Sequence, residues 1–227
     1  MYNIRFKWFK YQTDKSDVFI KTENKQILVD VGHGYGRAYD KHLYSGRESV
    51  KKVLEIGSIM LWLDYFPNAK IYGIDLIDPN ITHDRFSYSN VDQSNRAQLK
   101  KFFDENGNDF DIIIDDGIHA AYEQQVSLDI GFDNVAPGGF YVIEDMHCQR
   151  EEEKDGPHYR PTVDTNMNMY ELIEHFQREA YDTCSAIKNV QLFKEKIQKI
   201  YIETARNCRW ITMSKPSEII FIEKSLS

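Results

Sequence analysis

The sequence predicts an α/β fold in which a mostly parallel sheet ends in a C-terminal antiparallel hairpin. Four short apolar runs, residues 53–56, 71–74, 112–114 and 140–143, are rich in β-branched or aromatic side chains, and each is followed at once by an acid or a glycine. Their apolarity is continuous rather than alternating, which indicates strands buried on both faces. Helical patterns separate the later runs, and strands alternating with helices build parallel βαβ units. In the tail, segments 210–213 and 218–222 flank Ser214-Lys215-Pro216-Ser217, a turn so short that the two must pair antiparallel.

Taken in order, residues 1–50 form a charged N-terminal extension that holds Gly32, Gly34 and Gly36 and ends in a helix leading toward Lys51 and Lys52. After the second strand, residues 94–106 suit a helix capped by Ser94, with Ala97, Leu99, Phe102 and Phe103 on one side and Gly107 as its stop. Residues 121–135 read as the next helix, ended by Pro137-Gly138-Gly139. Residues 148–168 are polar, contain Pro157 and Pro161 and show no periodicity, so they form either a lid or a disordered connection. Helices at about 168–181 and 190–206 then precede the hairpin. No repeat or linker divides the chain, so residues 1–227 are expected to be one domain: the extension, a core at 51–147, the loop, and a C-terminal part at 169–227.

Composition excludes several function classes. At 227 residues the chain can bury about 70–75% of its unfolded surface and needs no covalent staples. Its formal charge of −8 is the wrong sign for a protein living on phosphate backbones, so neither nucleic acid nor anionic membrane is an expected partner. Cys148, Cys184 and Cys208 are odd in number and widely spaced, suiting a reducing compartment and no thiolate zinc site. No apolar stretch follows Arg5, Lys7 and Lys10, and no run approaches a membrane span, so a cytoplasmic protein is expected.

Ligands of an open α/β sheet bind outside the carboxyl ends of its strands. Here those ends read Glu55-Ile56-Gly57, Asp75, Asp115-Asp116 and Glu144-Asp145. Gly57 permits a tight turn close to a ligand, and Asp75 lies twenty positions after Glu55, a spacing that suits an acid accepting hydrogen bonds from ribose hydroxyls or, equally, a plain strand-end acid. A GxGxxG cradle is absent, which favours a nucleoside ligand without pyrophosphate. The sharper signal is the pair DIIIDDGIH at 111–119 and GGFYVIEDMH at 138–147. If these are adjacent parallel strands, Asp116, Glu144 and Asp145 crowd one sheet edge about 4.8 Å from strand to strand. Unless they are protonated or paired with Lys or Arg, a cation must sit among them, and an all-oxygen set suits Mg²⁺ or another hard divalent metal. His119, three positions after Asp116, is placed to take a proton from a substrate oxygen. His147 and His83 read as satisfied surface residues, His33 as a turn residue, and Arg150, Lys154 and Arg160 as a solvated loop that could meet a nucleotide-linked sugar.

These residues resemble the metal-dependent sugar O-methyltransferases of the macrolide and tetracenomycin tailoring type, within the class I S-adenosylmethionine-dependent methyltransferases. The resemblance is carried by GHGYGRAYDKHL, VLEIGS, LWLDYFPNAKIYGIDL, VDQSN, DIIIDDGIH and APGGFYVIEDMH, in order from Gly32 to His147, with FIEK at 221–224. It implies a Rossmann-like class I methyltransferase sheet with S-adenosylmethionine across the first strand ends. Gly57 would approach the methionine part, with Glu55 beside it. Asp75 would hold the ribose, Asp92 and Gln93 would lie near the adenine, and Asp115 would border the same site. Asp116, Glu144 and Asp145 match the Mg²⁺ ligands and His119 the general base. One departure stands out: the family's loop resembling EIGVxxGGSLxMW is shortened here to Gly57-Ser58-Ile59-Met60-Leu61-Trp62. Either Tyr35 and the glycines around it or a rearranged Ser58 loop supplies the missing contacts, or cofactor binding is weakened.

The leading expectation is therefore a Mg²⁺-dependent O-methyltransferase of a small-molecule sugar, with a homo-oligomer allowed. The alternatives are a non-catalytic binding or assembly module on the same fold, and an enzyme acting on the vicinal hydroxyls of a catechol-like molecule.

Overall fold

The computed structural model describes residues 15, 18–23, 26–31, 34–57, 61–155, 159–178, 186–188, 190–204 and 218–226. In chain order they form β1 (Val18–Glu23), β2 (Gln26–Val31), α1 (Gly36–His42), β3 (Lys52–Ile56), α2 (Leu61–Tyr65), β4 (Lys70–Asp75), β5 (Phe86–Asn90), α3 (Arg96–Asn106), β6 (Phe110–Asp115), α4 (Ala121–Gly131), β7 (Val135–Ile143), α5 (Met169–Gln177), α6 (Val190–Glu195), β8 (Ile197–Thr204) and β9 (Glu218–Lys224). The first two strands make a separate antiparallel pair, and the other seven form one sheet in the order β5-β4-β3-β6-β7-β9-β8. The first five of these run parallel, while β9 is antiparallel to both β7 and β8.

All four apolar runs are strands of this sheet, and its centre is buried on both faces. On one face Leu54, Ile56, Ile74, Ile113 and Tyr141 pack against Leu99, Val126 and Leu172 of α3, α4 and α5. On the other, Val53, Ile71, Ile112, Ile114, Val142 and Phe221 pack against Tyr39 of α1 and Trp62 of α2. Neighbours along a strand point to opposite faces, so a run with no polar alternation is what a covered central strand requires.

Several local expectations are corrected. The cap of α3 is Asn95, not Ser94: its side chain accepts from the N–H groups of Ala97 and Gln98, whereas Ser94 donates its hydroxyl to Asp92 at 2.7 Å. Asn95→Ala is expected to cost about 1 kcal/mol in a denaturant titration. Pro137-Gly138-Gly139 does not lie beyond a helix but inside β7, at a register shift against β6. A side chain at Gly139 would come within 2.6 Å of the Asp111 carbonyl, so glycine lets the two backbones close up at this irregularity. The helix expected over 168–181 starts as foreseen, at the capping box of Asn168 with Glu171, but stops at Gln177.

The largest correction concerns 190–206. Among the described residues of this stretch only Val190–Glu195 is helical, and Ile197–Thr204 is the strand β8 that pairs with β9. The antiparallel hairpin is present with β8 as the partner of β9, while the expected strand 210–213 lies outside the described residues. Strand β5 and the β1-β2 pair had no counterpart in the expectation.

Candidate active site

The strand register assembles the site. Asp115 pairs with Ile143 across β6 and β7, and the ladder continues past the strand ends through Glu144 N–H to the Asp115 carbonyl at 3.0 Å. Asp116 N–H in turn donates to the Ile56 carbonyl at 3.0 Å, and Gly57 N–H to that of Ile74 at 2.9 Å. The exits of β4, β3, β6 and β7 are thus tied side by side, and their acids emerge at one edge.

Asp116, His119 and Asp145 come together there, each offering a ligand atom within 4.8 Å of the others. The Asp145 carboxylate lies 3.5 Å from His119 Nε2 and accepts from the Tyr35 hydroxyl at 2.8 Å. His119 and Asp145 both hold left-handed backbone, with φ of 60° and 56°. Such conformations are uncommon outside glycine and persist only where the surroundings enforce them. The enforcement is visible at His119. Buried Gln149 donates from its amide to the His119 carbonyl at 2.9 Å and to Gln124 Oε1 at 2.6 Å, and accepts from Met169 N–H at 2.9 Å. His119 Nδ1 is buried with no hydrogen-bond partner.

Glu144 is drawn a different way. It is 1% exposed, accepts from the Tyr39 hydroxyl, and lies 2.8 Å from the ammonium of Lys15, which also sits 2.7 Å from Asp116. Burial and the Asp116 charge push the Glu144 carboxyl above its ordinary range, against the pull of Lys15. The N-terminal extension therefore reaches every acid of the expected metal set: Lys15 reaches Asp116 and Glu144, Tyr39 reaches Glu144, and Tyr35 reaches Asp145. Tyr35, expected to help hold the cofactor, touches Asp145 through its hydroxyl. Lys15 and Tyr39 were not anticipated, and neither was His147, which is buried with Nδ1 3.8 Å from Asp145 rather than lying on the surface. The positive φ of residues outside glycine cannot be read from the sequence, and Lys15 stands in no motif. Tyr39 was within reach, since it lies in the same GHGYGRAYDKHL segment as Tyr35.

The residues expected on the cofactor side are distributed along the same edge. Gly57, at φ +90°, makes the turn after β3, and a Cβ there would fall 2.4 Å from the Asp116 carbonyl. Gly57→Ala is expected to force the exits of β3 and β6 apart and to weaken both nucleoside and metal binding at least tenfold, read by calorimetry. Asp75 closes β4 and accepts from Ile77 N–H at 3.1 Å. Asp92 accepts from Ser94 N–H at 2.8 Å, and Gln93 bridges Ile118 N–H at 3.0 Å to Asp115 at 3.3 Å. The Asp115 carboxylate is wholly buried among protein donors: Gln93, the Gly117 N–H, Ser127 and Tyr141. Burial pushes it up to about 6 despite those donors. Glu55 is buried beneath the turn. Ser58 lies outside the described residues. Of the loop cations, Arg150 is committed to Glu218 at 2.7 Å, so it is no solvated charge.

The chemistry of the group fits a hard divalent cation: carboxylate oxygens of Asp116 and Asp145 converge to within 4.8 Å, with the His119 imidazole beside them. The space beside Gly57 is filled by the Asp116 backbone, so glycine there lets the exits of β3 and β6 lie against each other.

No family model matches the chain. It is 31% identical over 137 residues to L-olivosyl-oleandolide 3-O-methyltransferase of Streptomyces antibioticus, covering 55% of this chain and 36% of that protein. It is 35% identical over 127 residues to mycinamicin VI 2''-O-methyltransferase of Micromonospora griseorubida, covering 50% of this chain and 32% of that one. The matches thus span only about a third of these relatives' length. In three dimensions the chain is similar to the MycE methyltransferase of mycinamycin biosynthesis, solved with Mg, SAH and mycinamycin VI, at a TM-score of 0.61 and 24% identity over 84% of this chain and 49% of that one. The N-methyltransferase NodS of Bradyrhizobium japonicum matches at a TM-score of 0.50 and 13% identity over 86% of this chain and 97% of the other. The chain thus has the Rossmann-like methyltransferase fold and is a sequence relative of the macrolide and tetracenomycin sugar O-methyltransferases.

Proposed function

We propose that this chain is an S-adenosylmethionine-dependent, Mg²⁺-dependent O-methyltransferase of a sugar hydroxyl. The observation that carries the reading is the convergence of Asp116, His119 and Asp145 at the edge where the cofactor turn of Gly57 also lies. Asp116, Glu144 and Asp145 would hold the metal. When bound, it supplies Lewis acidity that eases loss of a proton from a nearby hydroxyl. S-adenosylmethionine supplies a methyl group already activated on a sulfonium. Gly57 and Asp75 would orient that cofactor, with Glu55, Asp92, Gln93, Asp115 and Ser58 in supporting positions.

His119 is the base in this reading. His119 Nε2 faces the acid group, 3.5 Å from Asp145, and it is this nitrogen, not the buried Nδ1, that would meet a substrate hydroxyl. The hydroxyl proton would move to the His119 ring, leaving the oxygen free to take the methyl group of a cofactor held by Gly57 and Asp75. Gln149 and Gln124 hold the His119 turn so that this alignment costs no ordering during the reaction.

The sugar acceptor is supported by the relatives, all sugar or macrolide O-methyltransferases by name. We infer further that the chain is one domain, takes no nucleic acid, and works in the cytoplasm. Among the described residues no helix is long and apolar enough to cross a membrane. Calorimetry with S-adenosylmethionine, with and without Mg²⁺, tests the cofactor assignment, and the expected result is micromolar binding. Absence of binding under both conditions would leave only a non-catalytic module. A screen of nucleotide sugars, glycosides and catechols for methyl transfer then tests the acceptor, and turnover of catechols alone would overturn the sugar assignment.

A further inference from the structure

Lys15 has no part in the chemistry just proposed, yet it reaches two of the acids assigned to the metal. Its side chain is fully buried, with Nζ 2.7 Å from Asp116, 2.8 Å from Glu144 and 5.9 Å from the centroid of the Trp62 ring. Its backbone is tied down as well, the carbonyl accepting from Gly36 N–H at 2.7 Å at the start of α1. A buried ammonium between the buried carboxylate of Glu144 and the part-buried one of Asp116 is an internal counter-ion. It supplies the compensation that crowded acids need, at the place where two of the three acids assigned to the metal converge.

A divalent ion and an ammonium compete for those oxygens, because each brings positive charge into one poorly solvated space. We propose that Lys15 is a competing internal cation of the metal site: its ammonium holds Asp116 and Glu144 together in the metal-free protein, and a divalent cation enters only as Lys15 withdraws. This rests on the metal reading above. Two consequences follow from the linkage. The observed metal affinity is lower than the intrinsic one by the fraction of molecules in which Lys15 has left. Metal loading also reorganises the N-terminal extension, because Lys15 is fastened to the same turn that places Tyr35 and Tyr39.

Mn²⁺ titration followed by the electron paramagnetic resonance of the unbound ion reads the site without turnover. Lys15→Met, which keeps the bulk and removes the charge, is expected to bind Mn²⁺ about tenfold or more tightly than the parent, whereas Lys15→Arg stays near it. A second measurement needs no variant. Brief acetylation of the native protein, with the modification of Lys15 read by peptide mass spectrometry, is expected to rise when Mn²⁺ is added. Equal or weaker Mn²⁺ binding by Lys15→Met overturns the proposal, and so does Lys15 acetylation that Mn²⁺ leaves unchanged. If Lys15→Met does not fold, the acetylation result decides alone. If the parent binds no Mn²⁺, the metal reading itself falls and this inference with it. If the parent binds and Lys15→Met binds no better, only the role of Lys15 is lost.

Discussion

Replacing His119 by alanine is expected to lower kcat by about 10²–10⁴-fold while leaving the affinity for S-adenosylmethionine within about twofold of the parent. The ring sits on the β6 exit loop, beyond Asp116, with Nε2 3.5 Å from Asp145. Losing it removes the proton acceptor and spares the cofactor turn. Alanine alone is an imperfect probe, because residue 119 has φ of 60° and an alanine there would add backbone strain to the loss of the imidazole. Asparagine tolerates that conformation far better. His119→Asn should therefore match His119→Ala in lost turnover but exceed it in thermal stability. Turnover measured by release of S-adenosylhomocysteine, set beside calorimetry with the cofactor, checks both halves. Undiminished methyl transfer by either variant would exclude His119 as the base, and a matching fall in cofactor affinity would make it a structural residue.

The part of the molecule legible in the sequence is the part where one physical constraint acts alone. Central strands are covered on both faces, so 53–56, 71–74, 112–114 and 140–143 had to be continuous apolar runs, and the residues just past them had to stand at the sheet edge. Asp116, Glu144, Asp145 and Gly57 follow from that. Where two patterns compete, the reading fails. Phe193, Ile197 and Ile200 recur at helical spacing, which hid the strand in Ile200, Tyr201, Ile202 and Thr204. At the edge of the sheet, β8 is only half covered, so the β preference of those residues is its main mark. Pro137-Gly138-Gly139 looks like a helix stop because the same residues that end helices also build irregularities in strands. The remainder of the site comes from far along the chain. Lys15 reaches Asp116 across 101 positions and Tyr39 reaches Glu144 across 105, and no local spacing announces such contacts. Crowded acids require a cation or a proton, but nothing local in the sequence singles out Lys15 as that cation.

Asp145→Asn is the change expected to separate a metal centre from a merely acidic surface. Asparagine keeps the shape, keeps an oxygen for the Tyr35 hydroxyl, and accommodates the φ of 56° that residue 145 holds. What it removes is one negative charge from a group in which Glu144 is already pushed toward protonation by burial and by its neighbours, Asp145 among them. In the absence of metal, that loss relieves repulsion, so the variant should be as stable as the parent or more stable by about 1 kcal/mol. Mn²⁺ or Mg²⁺ affinity should move the other way. Outer partners of metal ligands are worth about 10–100-fold in affinity, and a ligand itself should cost at least the upper end of that range, with turnover falling in step. A chelator should stop the parent and have little left to remove from the variant. Thermal melts run with and without Mn²⁺ make the distinction directly: the ion raises the melting temperature of the parent and not that of Asp145→Asn. An ordinary pair of strand-end acids would give the opposite pattern, with stability changed by the substitution and no response to the ion in either protein, and that result would remove the metal from this site.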